Sequence, residues 1–145
     1  MRRYLILILV VLIPVVSFAW GAKGHDIVAC VAQQNVSKRT LRKVERVLGG
    51  HSMVYVANWM DNASHTPEYE HTKTWHYVNV DPSEKTYANS VKEANGDVVV
   101  AINGIIERIK SGELSGEQER EELMMLIHLV GDMHCPGHVF FDGQT

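Results

Sequence analysis

The sequence has few thiols, no surplus of positive charge, no internal repeat, no coiled-coil heptad and no linker-like tract. Only two Cys occur in 145 residues, which points any metal site toward nitrogen and oxygen donors rather than thiolates. The 14 Lys+Arg are outnumbered by 17 Asp+Glu, and the resulting formal charge of -3 argues against a nucleic-acid-binding surface of the usual basic kind. The length sets one domain as the ceiling. A hydrophobic fraction of 46% excludes a disordered or low-complexity chain. What the chain does have is histidine, eight in all, which is many for this length.

The N-terminus reads as an export signal. Met1-Arg2-Arg3-Tyr4 is a basic start, Leu5 to Val16 is an apolar run, and Ser17-Phe18-Ala19 ends in small residues where a signal peptidase cuts. This predicts a signal peptide over residues 1–19, a mature domain over residues 20–145, and a secreted or periplasmic location. An uncleaved anchor is the competing reading, although the apolar run is shorter than the roughly 20 residues that span a bilayer comfortably. Cleavage after Ala19 makes Trp20 the mature N-terminus, and a free terminal amine with its adjacent carbonyl oxygen forms a five-membered chelate for a metal. It also removes Arg2 and Arg3, taking the formal charge to -5. Export would let Cys30 and Cys135 pair, but their spacing carries no connectivity, and two buried free thiols are the equal alternative.

Apolar periodicity predicts a mostly α-helical fold. Ile27, Val28, Val31 and Ala32 recur at helical spacing within Ala22 to Asn35. A second run from Ser37 through Leu41, Val44, Val47 and Leu48 stops at Gly49-Gly50. Met53 to Asp61 is compatible with a further helix. His65 to Ser90, with Pro67, Pro82 and many Thr, Asn and Asp, reads as a long irregular connection in which Trp75 to Val80 could be extended. Asp97 is a plausible N-cap for Val98 to Lys110, and Ser115 with Gln118 forms a capping box for a helix through Met133.

The chemistry concentrates near the end of that last helix. His128 and Asp132 are four apart and so share a face, a separation that two ligands of one ion can use. They interrupt the apolar run Leu126-Ile127-His128-Leu129-Val130-Gly131-Asp132, and His134 and His138 follow closely. An imidazole and a carboxylate on an apolar face are costly unless paired or metal-bound. His51, His65 and His71 lie near turns and polar stretches and read as exposed histidines, His134 as a structural residue, and Trp59, Trp75 and Tyr77 as packing around the ligands.

Four motifs together resemble the secreted zinc-dependent single-strand-specific nucleases, the nuclease S-one / P-one type also called 3'-nucleotidase/nucleases. They are Trp20-Gly21-Ala22-Lys23-Gly24-His25, Asn58-Trp59-Met60-Asp61, Trp75-His76-Tyr77, and His128-x-x-x-Asp132-x-His134-x-Pro136-x-His138. The resemblance covers the mature N-terminal portion, roughly half of a typical member. It implies an all-α, phospholipase C / zinc nuclease-like fold, apparently truncated at its C-terminus. It further implies that the amine and carbonyl of Trp20, with His25 and Asp132, hold one zinc, and that Asp61, His76, His128 and the other oxygen of Asp132 hold a second. His138 would belong to a third ion, whose remaining ligands the family carries further along; here the sequence ends seven positions after His138. The family usually has Gln and a bulky apolar residue where this chain has Cys135 and Gly137.

The implied activity is hydrolysis of phosphodiester bonds in single-stranded DNA and RNA to give 5'-phosphates. A zinc-activated hydroxide would be the nucleophile, and Asp61 and Asp132 the catalytic carboxylates. Two or three dications would invert the field of an acidic protein at the cleft. The implied partner is a nucleic acid or nucleotide substrate, with no stable membrane insertion after cleavage and no protein partner. A zinc-dependent phospholipase C and a secreted, inert zinc-binding fragment are the competing functions.

Overall fold

A computed structural model of the chain describes residues 21–141 except 82 and 85. The predicted signal peptide and Trp20 lie outside the described residues. Six α-helices are present among them: α1 (Ala22–Asn35), α2 (Lys38–Val47), α3 (Met53–Val56), α4 (Trp59–Ala63), α5 (Val98–Ser111) and α6 (Gly116–Asp132). Two 3-10 helices, Glu70–His76 and Pro136–His138, lead into the short strands β1 (Val78–Val80) and β2 (Val139–Phe141). The fold is all-α apart from that strand pair. None of the described helices is long and apolar enough to cross a membrane.

Local sequence explains where the helices start. Ser37 and Ser52 accept hydrogen bonds from the Thr40 and Tyr55 backbone N–H groups at the starts of α2 and α3. The predicted capping box at Ser115 and Gln118 is present in both directions, and Glu117 and Glu119 add negative charge where the helix dipole favours it. Asp97 caps α5 by accepting from Val99 and Val100, and its carboxylate also accepts the Tyr87 hydroxyl proton. Gly112, at φ 70°, ends α5 in the left-handed conformation that glycine adopts without strain.

α6 is the axis of the fold. Met125 and Leu129 pack with Met60, Val78, Val98, Ala101 and Ile105 into the main core. Met124 joins Leu48 and Val56 in a second cluster, while Ala29, Met53 and Ala57 form a third against Ile127. A helix buried on several sides in this way fixes His128 and Asp132, which project from its last turns, to within the tolerance of close packing.

Two sequence expectations changed. The segment Met53 to Asp61 is two short helices, because the chain turns at Ala57-Asn58, where Asn58 adopts φ -101°, ψ 3° and its amide donates to Asp26 Oδ1 at 2.8 Å. Trp75 and His76 end a 3-10 helix rather than lying in an extended run, and only Val78 to Val80 is a strand. Side-chain anchors hold that helix in place: Thr74 Oγ1 donates to the Gly96 carbonyl and Trp75 Nε1 to the Asn95 carbonyl, both at 2.7 Å.

The strand pair is small but positions the site. β1 runs parallel to β2 in the register Val78 to Val139, Asn79 to Phe140 and Val80 to Phe141. It thereby stitches the segment after His76 to the segment after His138.

Candidate metal centre

Five elements deliver side chains to one point. α1 brings His25, α4 brings Asp61, the first 3-10 helix brings His76, α6 brings His128 and Asp132, and the second 3-10 helix brings His138. The Asp132 carboxylate, 1% exposed, lies at the middle and divides its neighbours. Oδ1 faces His25 Nε2 at 3.4 Å and His138 Nε2 at 3.8 Å. Oδ2 faces His76 Nδ1 at 3.0 Å and His128 Nε2 at 3.3 Å. Asp61, half-exposed at 51%, presents Oδ1 to His128 Nε2 at 3.4 Å from the solvent side.

Two imidazoles are locked by backbone carbonyls. His128 Nδ1 donates to the Ala57 oxygen and His138 Nδ1 to the His76 oxygen, each at 2.7 Å. A carbonyl can only accept, so those Nδ1 atoms carry the protons and each Nε2 of the neutral ring turns a lone pair toward the centre. This is the outer support that metal-binding histidines ordinarily have. His128 Nε2 then meets two carboxylate oxygens and His76 Nδ1, the last at 3.2 Å. Such a meeting needs a cation in its midst, either a proton on Nε2 or a metal ion.

A zinc-sized ion fits that need. Bonds of about 2.0–2.2 Å in a tetrahedron put neighbouring donors about 3.3–3.6 Å apart, close to the separations around Asp132. The donors converge in two groups, His25 with Asp61 and His128, and His76 with His128 and Asp132. The ring nitrogens opposite the ones that face Asp132, His25 Nδ1 and His76 Nε2, are buried without a hydrogen-bond partner, unlike the Nδ1 atoms of His128 and His138. The nitrogen-and-oxygen donor set suits zinc.

The electrostatics of the protein alone point the same way. Burial would push the His128 imidazole down, yet its hydrogen bonds to Asp132 and Asp61 raise its pKa to about 9. Burial opposes ionisation of Asp132 too, and His128 and His76 overcome it, bringing the carboxyl to about 2. The Asp61 pKa is lowered chiefly by its hydrogen bond with His128. His25 is pushed down by burial and by the charge on His128, whose ring stacks on it with centroids 4.0 Å apart. The two carboxylates thus favour a proton on His128 Nε2, where a metal ion would compete for the same lone pair.

Every candidate ligand within the described residues takes part in this cluster: His25, Asp61, His76, His128, Asp132 and His138. His138, assigned by resemblance to a third ion, borders the centre through Asp132 Oδ1. The other histidines stay away from the centre. His65 and His71 are exposed, His51 is half-buried and stacks on Tyr55, and His134 is exposed with Nδ1 donating to the Val130 carbonyl. Trp59 and Trp75 pack against the main core, and Tyr77 meets Phe140 edge-on. Cys30 and Cys135 are free, Cys135 buried and Cys30 half-buried.

The supporting residues were missed in the sequence. The Ala57 carbonyl leaves no signal in its side chain. Gly131 does leave one, a glycine inside a helix next to a ligand. A Cβ there would stand 2.3 Å from His25 Nδ1, so the bare backbone makes the room in which the His25 ring lies.

The family model for S1/P1 Nuclease matches residues 20–144. The chain belongs to the S1/P1 nuclease family. It is similar to Nuclease P1 of Penicillium citrinum, with 32% identity over 82% of this chain and 47% of that protein. Nuclease S1 of Aspergillus oryzae shares 26% identity over 89% of this chain and 51% of the relative. Endonuclease 4 of Arabidopsis thaliana shares 26% over 88% and 48%. The chain therefore spans about half the length of the curated relatives it matches.

Proposed function

We propose that this S1/P1 nuclease family chain is a zinc-dependent phosphodiesterase that cleaves single-stranded DNA and RNA and leaves 5'-phosphates. The observation that carries the reading is the division of Asp132, whose two oxygens face different histidines, so that one carboxylate could serve two metal positions. His25, with the amine and carbonyl of Trp20 after signal cleavage, would complete the Oδ1 side. Asp61, His76 and His128 would complete the Oδ2 side. Zinc bound there would supply Lewis acidity to a phosphoryl oxygen and make water nucleophilic near neutral pH.

The remaining work falls to the protein. Ala57 and His76 carbonyls aim the His128 and His138 lone pairs inward. Stacking of His25 on His128 keeps both rings in place. Asp61, exposed where the buried ligands are not, is the carboxylate that an entering phosphodiester meets first. Phosphates of a flexible single strand would approach the buried His128 and Asp132 behind it more readily than those of a rigid duplex.

Secretion in a form beginning at Trp20 belongs to the same reading, and N-terminal sequencing of exported protein tests it. The reaction is tested by incubating the zinc-loaded chain with single-stranded DNA, single-stranded RNA, duplex DNA and phosphatidylcholine vesicles. The expected result is cleavage of the single strands to 5'-phosphate ends, abolished by chelation and restored by zinc. Hydrolysis of phosphatidylcholine alone would instead identify a phospholipase, and zinc binding without turnover would identify an inert metal-binding protein.

A further inference from the structure

Away from the metal centre, α2 carries Lys38, Arg39, Arg42, Lys43 and Arg46 among its ten residues, with Glu45 the single acid. At 100° per residue these five cations fall within an arc of about 140°, and all five are exposed. None is within ion-pair distance of a carboxylate among the described residues, whereas Lys73, Arg108 and Lys110 each pair with a glutamate. The exposed Arg120 guanidinium lies against Gly49, in the turn that ends α2, and extends the patch at that end.

Helix energetics do not account for this arrangement. Lys38 and Arg39 sit in the first turn, where the dipole disfavours cations. Lys38 and Arg42, Arg39 and Lys43, and Arg42 and Arg46 are like-charged neighbours four apart, each pair costing a few tenths of a kcal/mol in an isolated helix. A polyanion lying along the face would reverse the sign of all these terms.

We propose that the outer face of α2 docks the sugar-phosphate backbone of single-stranded substrate. This rests on the nuclease reading above. Charge complementarity selects the polyanion, and packing selects against a membrane. Val44 is packed into the second and third clusters and Leu41 and Val47 are half-buried, so α2 has no free apolar face to insert among lipids. On the opposite, packed side of α2, Val44 and Leu48 join the cluster built on Met124 and hold the helix against α6. The formal charge of -3 averages over this patch and hides it.

The test compares the native full chain with a variant in which Lys38, Arg39, Arg42, Lys43 and Arg46 are all changed to Gln. Binding of a fluorescent single-stranded oligonucleotide is titrated under chelation at several salt concentrations, and hydrolysis of a dinucleotide is measured with zinc. The variant is expected to bind the oligonucleotide at least tenfold more weakly at low salt. Its log-log salt slope should be shallower by up to about 3.5, since each phosphate contact to a single strand contributes about 0.7. Dinucleotide hydrolysis should be unchanged. Equal affinity and slope in the two proteins would overturn the proposal, as would native chain that binds phosphatidylserine vesicles but not the oligonucleotide. A parallel loss of dinucleotide hydrolysis would also count against it, and Lys38→Gln with Arg42→Gln alone, a milder change, checks that such a loss is not unfolding. If neither protein hydrolyses anything, the nuclease reading fails, while the binding titration still decides the docking surface.

Discussion

The metal centre and the basic face of α2 are built in opposite ways. The centre gathers six side chains from segments as far apart as His25 and His138, buries three of them, and depends on two backbone carbonyls for its geometry. The basic face is contiguous in sequence, fully exposed, and needs only a helix to align it. The comparison teaches that chemistry requiring directed lone pairs is a product of the whole fold, whereas electrostatic attraction is local. Loss of a single side chain at the centre should therefore destroy the first and spare the second.

The largest break in that comparison is expected from Asp132→Asn. Removing the shared anion should release both zinc ions together, leaving oligonucleotide binding by α2 under chelation unchanged; metal analysis after gel filtration checks this, and retention of both ions would remove the bridging role. Gly131→Ala should come next. The new methyl group displaces the His25 ring, and zinc affinity should fall by about 10- to 100-fold, the usual cost of disturbing the support of a ligand. A competition titration against a chelating dye measures it, and undiminished affinity would mean that the ring has another resting place.

A pH series on the chelated protein sharpens the same contrast. The folded-state pKa of His128 is raised to about 9 from an ordinary 6.5, so protonation stabilises the fold. That contribution is complete below about pH 6.5 and is lost as the pH rises through about 9. The melting temperature of chelated native protein should accordingly fall over that interval, and a His128→Asn variant should lack this share of the fall. The smallest effect is expected at the far end of α6. Ser115→Ala removes the capping box, costs about 1 kcal/mol in denaturant unfolding, and should leave the zinc content of folded protein unaltered.

Much of the helical framework was legible in the sequence because its signals are local. The Asp97 cap, the Ser115 and Gln118 box and the stop at Gly49-Gly50 each involve residues within a turn of one another. The residues that converge at the candidate centre could also be picked out, once the motifs around His25, Asp61, His76 and His128 were read together. What was not legible depends on contacts distant in sequence. The break at Ala57-Asn58 is coupled to Asp26 and His128, and the 3-10 end at Trp75-His76 is tied to Asn95 and Gly96. Net charge also misled, since a sum over the chain cannot reveal that five cations share one helix face.

The most direct test of the account is the zinc content of folded chain beginning at Trp20, measured after gel filtration. Two zinc ions per chain are predicted, one on each side of the Asp132 carboxylate. Well-folded protein that binds one ion or none would contradict the shared-carboxylate centre and with it the proposed hydrolysis.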